Sequence, residues 1–351
     1  MTRPSSTSFR ILRLFAVFFF CVASTLAAEP SIKLLTKDEA AAAIVEEKIE
    51  PYFKLLTALD MAAKLRIEPA GDTLDAKRED CRQRYKTFMK DFTEDEAAIV
   101  RLCIARVQPV LETHYPLIAR TPWRIIKKAD PLEGGAHFTR ESHIVLSEHV
   151  LVRAARFMSD GNESAAVNAL LPLLLHEQMH VLQRLNPKVF ADLYEKVWGY
   201  EYAAKIKANE WLDARQMMNP DGVDVNWLVK LKDENGVERL VWPRIVLSKI
   251  EGVPVMFRDM QMVLIEVEKS EKGYAVKVKE DGSLVMSPLM ESNSFAAKFP
   301  HGNAYHPNET AAAALPAVIL ADLKPENEEK KPAERKAYEQ TLRKWMREKM
   351  K

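Results

Sequence analysis

Only three cysteines occur in 351 residues, so a disulfide-built scaffold is excluded. After the first 28 residues, no stretch is apolar enough to span a bilayer. No segment repeats, and no glycine-rich loop offers backbone amides to a phosphate. Neither sign of charge dominates, with 51 basic residues against 50 acidic ones and a formal net charge of +1. Such a balance gives no electrostatic reason to expect nucleic acid as a partner.

Residues 1–28 have the composition of a secretory signal peptide. Arg3, Arg10 and Arg13 make a basic start, Leu14 to Ala23 is an apolar core, and Thr25-Leu26-Ala27-Ala28 supplies small residues for cleavage. The apolar run is short for a membrane span. Phe18-Phe19-Phe20 before Cys21 lacks the small residue of a lipoprotein box. The expectation is an exported protein, periplasmic or extracellular, without stable membrane insertion. Cleavage removes three arginines and no acid, which takes the formal charge from +1 to −2. Cys81 and Cys103 remain, and form either one disulfide or two buried thiols. The remaining chain is long enough for one or two domains.

The most specific pattern is His176-Glu177-Gln178-Met179-His180, an H-E-x-x-H motif in the apolar run Leu170 to Leu182. Residues four apart share a helix face, so the two imidazoles can grip one metal ion with Glu177 beside the open coordination position. A zinc hydrolase needs that arrangement. The helix is apolar on almost every face and reads as the buried centre of a domain. Two histidines and a glutamate inside it need partners, and a metal ion satisfies all three. The plain alternative is two core histidines bonded to backbone carbonyls. Pro172 should start or kink this helix one turn before His176.

On these five residues the chain resembles the H-E-x-x-H zinc metallopeptidases, the zincins. The resemblance covers about the central half of the chain, and only the motif is specific. It implies that His176 and His180 bind one Zn2+, and that Glu177 polarises the attacking water and shuttles its proton. No H-x-x-G-x-x-H continuation follows, since Val181-Leu182-Gln183-Arg184-Leu185-Asn186 comes after His180. A downstream glutamate, as in gluzincins, is therefore the expected third ligand. Glu195 and Glu201 lie within gluzincin-like spacing, and Glu210 sits in Asn209-Glu210-Trp211-Leu212-Asp213, which loosely resembles an N-E-x-x-x-D motif.

Glu309 is the preferred ligand. His306-Pro307-Asn308 reads as a loop opening a helix, and the Ala-rich stretch behind it can pack closely against the motif helix. The segment also resembles the P-x-E-x-x-A sequences that supply this ligand in some secreted zincin-like proteins. The simpler reading of Glu309 is a first-turn acid favoured by the helix dipole. Tyr305 and His306 are candidates to stabilise an oxyanion, with Tyr200 and Tyr202 behind them.

Residues 29–118 read as helical, with a capping box at Thr93-Glu94-Asp95-Glu96. The resemblance implies a zincin-like core over 119–324. Strands are expected at 123–127 and 137–147, the latter with a turn inside or before it, and the resemblance implies that 137–147 is an antiparallel edge strand to which substrate backbone adds. His137, His143 and His149 have no ligand-spaced partners and read as surface or strand-face residues. Residues 188–218 read as helical. Asn219-Pro220-Asp221-Gly222 is a turn in which Asp221, like Asp224, caps the chain or binds calcium. Residues 225–286 read as a β subdomain, with a hairpin from 227–231 to 238–242 and strands at 262–267 and 274–278. A charged, solvated helix is expected at 325–351.

The expected fold is α+β: a mainly helical zincin-like core with a small antiparallel sheet and a β-hairpin subdomain. The expected function is a secreted zinc metallopeptidase acting on a peptide or protein substrate. The alternative is a zincin-fold metal-binding protein that serves as a binding or structural envelope protein without cleaving peptides. A metal-free helical envelope protein with an accidental motif is the third possibility.

Overall fold

The computed structural model describes residues 30–233, 235–300, 305–325 and 331–351. The expected signal peptide lies outside the described residues. The fold is α+β, with two sheets and helices packed between and around them.

The motif helix, Glu163–Leu185, runs through the centre. The Asn162 side chain caps it by accepting from Ala165 N–H. Pro172 neither starts nor ends it. Burial of Leu170, Leu171, Leu174 and Leu175 around the proline outweighs the one hydrogen bond that it removes. The same core takes in the helix Glu94–His114, the helix Pro307–Leu323 and one face of the larger sheet.

The smaller sheet has five strands, in the order Ile32–Leu34, Trp123–Lys128, His143–Ser147, Phe138–Arg140, with Met89–Lys90 also on Trp123–Lys128. It is mixed rather than antiparallel, because the first three strands in that order run parallel. Parallel neighbours need a long crossover, and the helices between residues 37 and 119 supply it for Ile32–Leu34 and Trp123–Lys128. The N-terminal region is thus helical except for the two strands that it lends to this sheet.

The larger sheet has seven strands and includes the expected hairpin, Trp227–Lys232 with Glu238–Leu247, followed by Met260–Ser270 and Gly273–Val276. It recruits Tyr200–Tyr202 and Ile206–Lys207, where a continuous helix was expected. Gly199 is the breaking point, at φ +67°. Beyond it Tyr200 stacks on Phe299 and Tyr202 meets Trp227 edge-on.

The charged C-terminal helix, Ala333–Lys349, is not simply solvated. Leu342, Trp345 and Met346 fall on one face and are buried in the main core, and Trp345 Nε1 donates to Asp192.

A buried ionic cluster joins the N-terminal region to the core. Lys64 and Glu133, each 1% exposed, pair at 2.9 Å, and Lys64 lies 3.6 Å from buried Asp60. Tyr52 and Tyr85 both donate to Glu133. Glu133 holds a left-handed backbone, at φ +50°, inside this network. Lys64→Met leaves two buried carboxylates without their cation. It is expected to destabilise the fold by about 3–5 kcal/mol, measured by urea unfolding. A loss near zero would show that the cluster is not held by the ammonium.

Candidate metal centre

His176 and His180 stand on one face of the motif helix, with Nε2 atoms 3.2 Å apart and ring centroids 4.9 Å apart. Glu309 reaches them from the first turn of the helix Pro307–Leu323. Pro307 occupies the first helical position, where its missing N–H costs nothing. Behind it Ala311, Ala312, Ala314 and Leu315 are fully buried, and these mostly small residues let the two helices approach. Glu309 Oε2 lies 3.7 Å from His176 Nε2 and 3.6 Å from His180 Nε2.

These three ligand atoms suit a tetrahedral zinc. Ligands at about 2.0–2.2 Å from a tetrahedral ion stand roughly 3.3–3.6 Å from one another. The observed edges of 3.2, 3.6 and 3.7 Å need only small movements to match. Outer contacts orient the ligands. His180 Nδ1 is 3.0 Å from Gln183 Oε1, which directs Nε2 towards the centre, and Gln183 donates onward to the Asn308 carbonyl at 2.8 Å. Asn219 Nδ2 donates to Glu309 Oε1 at 2.5 Å and leaves Oε2 facing the histidines.

Glu177 is 3% exposed, and its Oε2 is buried without a hydrogen-bond partner among the described residues. An orphaned carboxylate oxygen beside the triad is where a water-activating base would be held. Burial raises the Glu177 carboxyl well above its ordinary range, and the nearby Asp221 charge adds to this. Asp221 is raised in turn by burial. Burial would lower His180, but the charges of Glu309 and Asp221 outweigh it and hold the imidazole up at about 10. Burial also opposes ionisation of Glu309, yet His180 and His176 hold it well below the usual carboxylate range. The site attracts positive charge.

Asp221, which its turn sequence marks as a cap or a calcium ligand, belongs to this cluster instead: its carboxylate falls within 4.8 Å of the ligand atoms of Glu177 and His180. Asp221 Oδ1 accepts from Thr139 N–H at 2.6 Å and from Thr139 Oγ1 at 3.0 Å. Arg184, one turn beyond His180, donates to the Thr139 carbonyl and to that of Pro220. The sequence carried no spacing signal for these contacts. They correct the edge-strand expectation. Phe138–Arg140 is an edge strand, but the outward N–H and C=O of Thr139 are already taken. A substrate cannot add to the strand at that residue without displacing Asp221 and Arg184.

Tyr305 is buried, with its ring centroid 5.9 Å from that of His306. Burial and the Glu309 charge push its phenol up, so it stays a hydrogen-bond donor. His306 caps the helix that carries Glu309. Its Nδ1 lies 2.6 Å from Asn308 Oδ1, which also accepts from Glu309 N–H at 2.8 Å. Nδ1 is occupied by these local contacts, and Nε2 is buried without a partner among the described residues.

None of the remaining candidates joins the groups formed by His176, His180, Glu309, Glu177 and Asp221 among the described residues. Glu195, Glu201 and Glu210 are exposed, and Glu201 accepts from the Tyr274 hydroxyl. Tyr200 and Tyr202 serve the aromatic packing of the larger sheet. Asp224 is exposed. His137 Nδ1 accepts from Ser147 N–H, His149 pairs with Asp130, and His143 is buried in its strand. Cys81 and Cys103 are separate buried thiols in different core clusters.

Burial lowers His306 to about 4 from an ordinary 6.5. The unfolded chain takes up that proton first, so stability held at neutral pH is lost as pH falls from 6.5 towards 4. The stability advantage of wild type over His306→Gln should shrink by about 2–3 kcal/mol between pH 7 and 4.5, measured by urea unfolding. A constant advantage would show that His306 is not held neutral.

No family model matches the chain, and neither a curated protein nor a solved structure matches it.

Proposed function

We propose that this chain is a zinc-dependent peptide hydrolase with a zincin-like core, exported from the cell that makes it. One observation carries the reading: the convergence of His176 Nε2, His180 Nε2 and Glu309 Oε2 beside the unpartnered carboxylate oxygen of Glu177. Zinc bound there supplies a Lewis acid that polarises a carbonyl and brings the pKa of a coordinated water towards neutrality. Glu177 Oε2 takes the proton of the attacking water and delivers it to the leaving amine. His176 and His180 would hold the ion through Nε2, with His180 oriented by Gln183. Tyr305, a protonated phenol, is the donor available to a developing oxyanion.

A second reading keeps the metal and drops the cleavage, as a binding or structural protein. The occupied edge at Thr139 favours it, since backbone pairing with substrate is blocked there. A peptide-library digest separates the two. Cleavage that disappears with chelator supports the hydrolase. No cleavage by the zinc-loaded protein supports the binding protein.

A further inference from the structure

The segment Met217–Gly222 is pinned by four parts of the fold. Met217 N–H donates to the Ile245 carbonyl of the larger sheet. Met218 N–H donates to Asp60 at 3.0 Å, and Lys64 Nζ donates to the Met218 carbonyl at 2.9 Å. Both partners belong to the buried ionic cluster of the N-terminal region. Arg184 of the motif helix holds the Pro220 carbonyl, and Asp221 holds Thr139 of the edge strand. Asn219 stands at the middle of this segment. Its Oδ1 accepts from Asp221 N–H at 3.0 Å, which closes the turn, and its Nδ2 donates to Glu309 Oε1 at 2.5 Å.

We propose that Asn219 is a positioning residue for Glu309, and that the N-terminal region reaches the metal centre through it. The inference rests on the zinc reading given above. Glu309 has two equivalent oxygens and a flexible stem. The amide N–H takes Oε1, which leaves Oε2 at 3.6–3.7 Å from both imidazoles. Without that donor the carboxylate can rotate away, and part of the ordering cost falls on metal binding. Because Met218 is held by Asp60 and Lys64, the N-terminal region anchors the segment that carries Asn219.

The two bonds of Asn219 can be tested apart. Asn219→Asp keeps the oxygen that closes the turn and replaces the donor with a second carboxylate. Asn219→Ala loses both. Zinc affinity of the full chain is measured by competition with a chromophoric chelator, with circular dichroism to confirm the fold. Positioning predicts a loss of about 10–100-fold in both variants, and an altered visible spectrum when cobalt replaces zinc in Asn219→Asp. If Asn219→Asp binds zinc as tightly as wild type or more tightly, while Asn219→Ala is weakened, the side chain only closes the turn and the inference is overturned. Wild-type affinity in both variants overturns it as well. A wild type that binds no zinc overturns the metal reading, and this inference with it.

Discussion

Glu177→Gln is expected to lower peptide hydrolysis by about 10²–10⁴-fold and to leave zinc bound. The substitution keeps the shape of the side chain and removes its capacity to take a proton. Glu177 is buried, and its carboxyl is pushed up by burial and by Asp221, so a neutral amide suits the position without unfolding the helix. The expected pattern is a stable protein with an unchanged metal content and little turnover. Hydrolysis at the wild-type rate would remove Glu177 from the mechanism. Loss of zinc together with activity would make Glu177 a ligand rather than a base.

The second large effect is on stability. The helix that starts at Pro307 brings Glu309 to the motif helix, and an ion shared by the three side chains would tie the two helices together. A ligand that binds only the folded state stabilises it by about 4 kcal/mol when present at 1,000 times its dissociation constant. Stripping zinc with a chelator should therefore lower the thermal midpoint by several degrees, and added zinc should restore it. Glu309→Ala should remove most of this response, because its histidine pair lacks the closing carboxylate. The stripped protein does not collapse outright, because the alanine face and the leucines around it remain buried. A midpoint that ignores both chelator and zinc would show that no ion couples these helices.

The parts of the site that the sequence makes legible are local ones. His176, Glu177 and His180 lie within five residues, and helical spacing alone puts the two imidazoles on one face. Glu309 is legible because His306-Pro307 marks a helix start and alanines follow. The rest depends on distant contacts. Thr139 and Asp221 are 82 positions apart, and Asn219 and Glu309 are 90 apart. Nothing in a turn sequence says which helix it will meet, so Asn219 and Asp221 read as turn residues. The fold divides along the same line. The hairpin at 227–247 is legible from its turn, whereas the strands at 200–207 follow from the break at Gly199 and from stacking on Phe299. In the C-terminal helix, high charge masks the spacing of Leu342, Trp345 and Met346, which face the core.

The zinc content of the protein purified without chelator, beside that of Glu309→Ala, tests the metal centre most directly. About one zinc per chain is expected in the wild type, as a single tetrahedral site requires, and a marked loss in the variant. No zinc in either protein would contradict the metal centre, and equal zinc in both would contradict Glu309 as its third ligand.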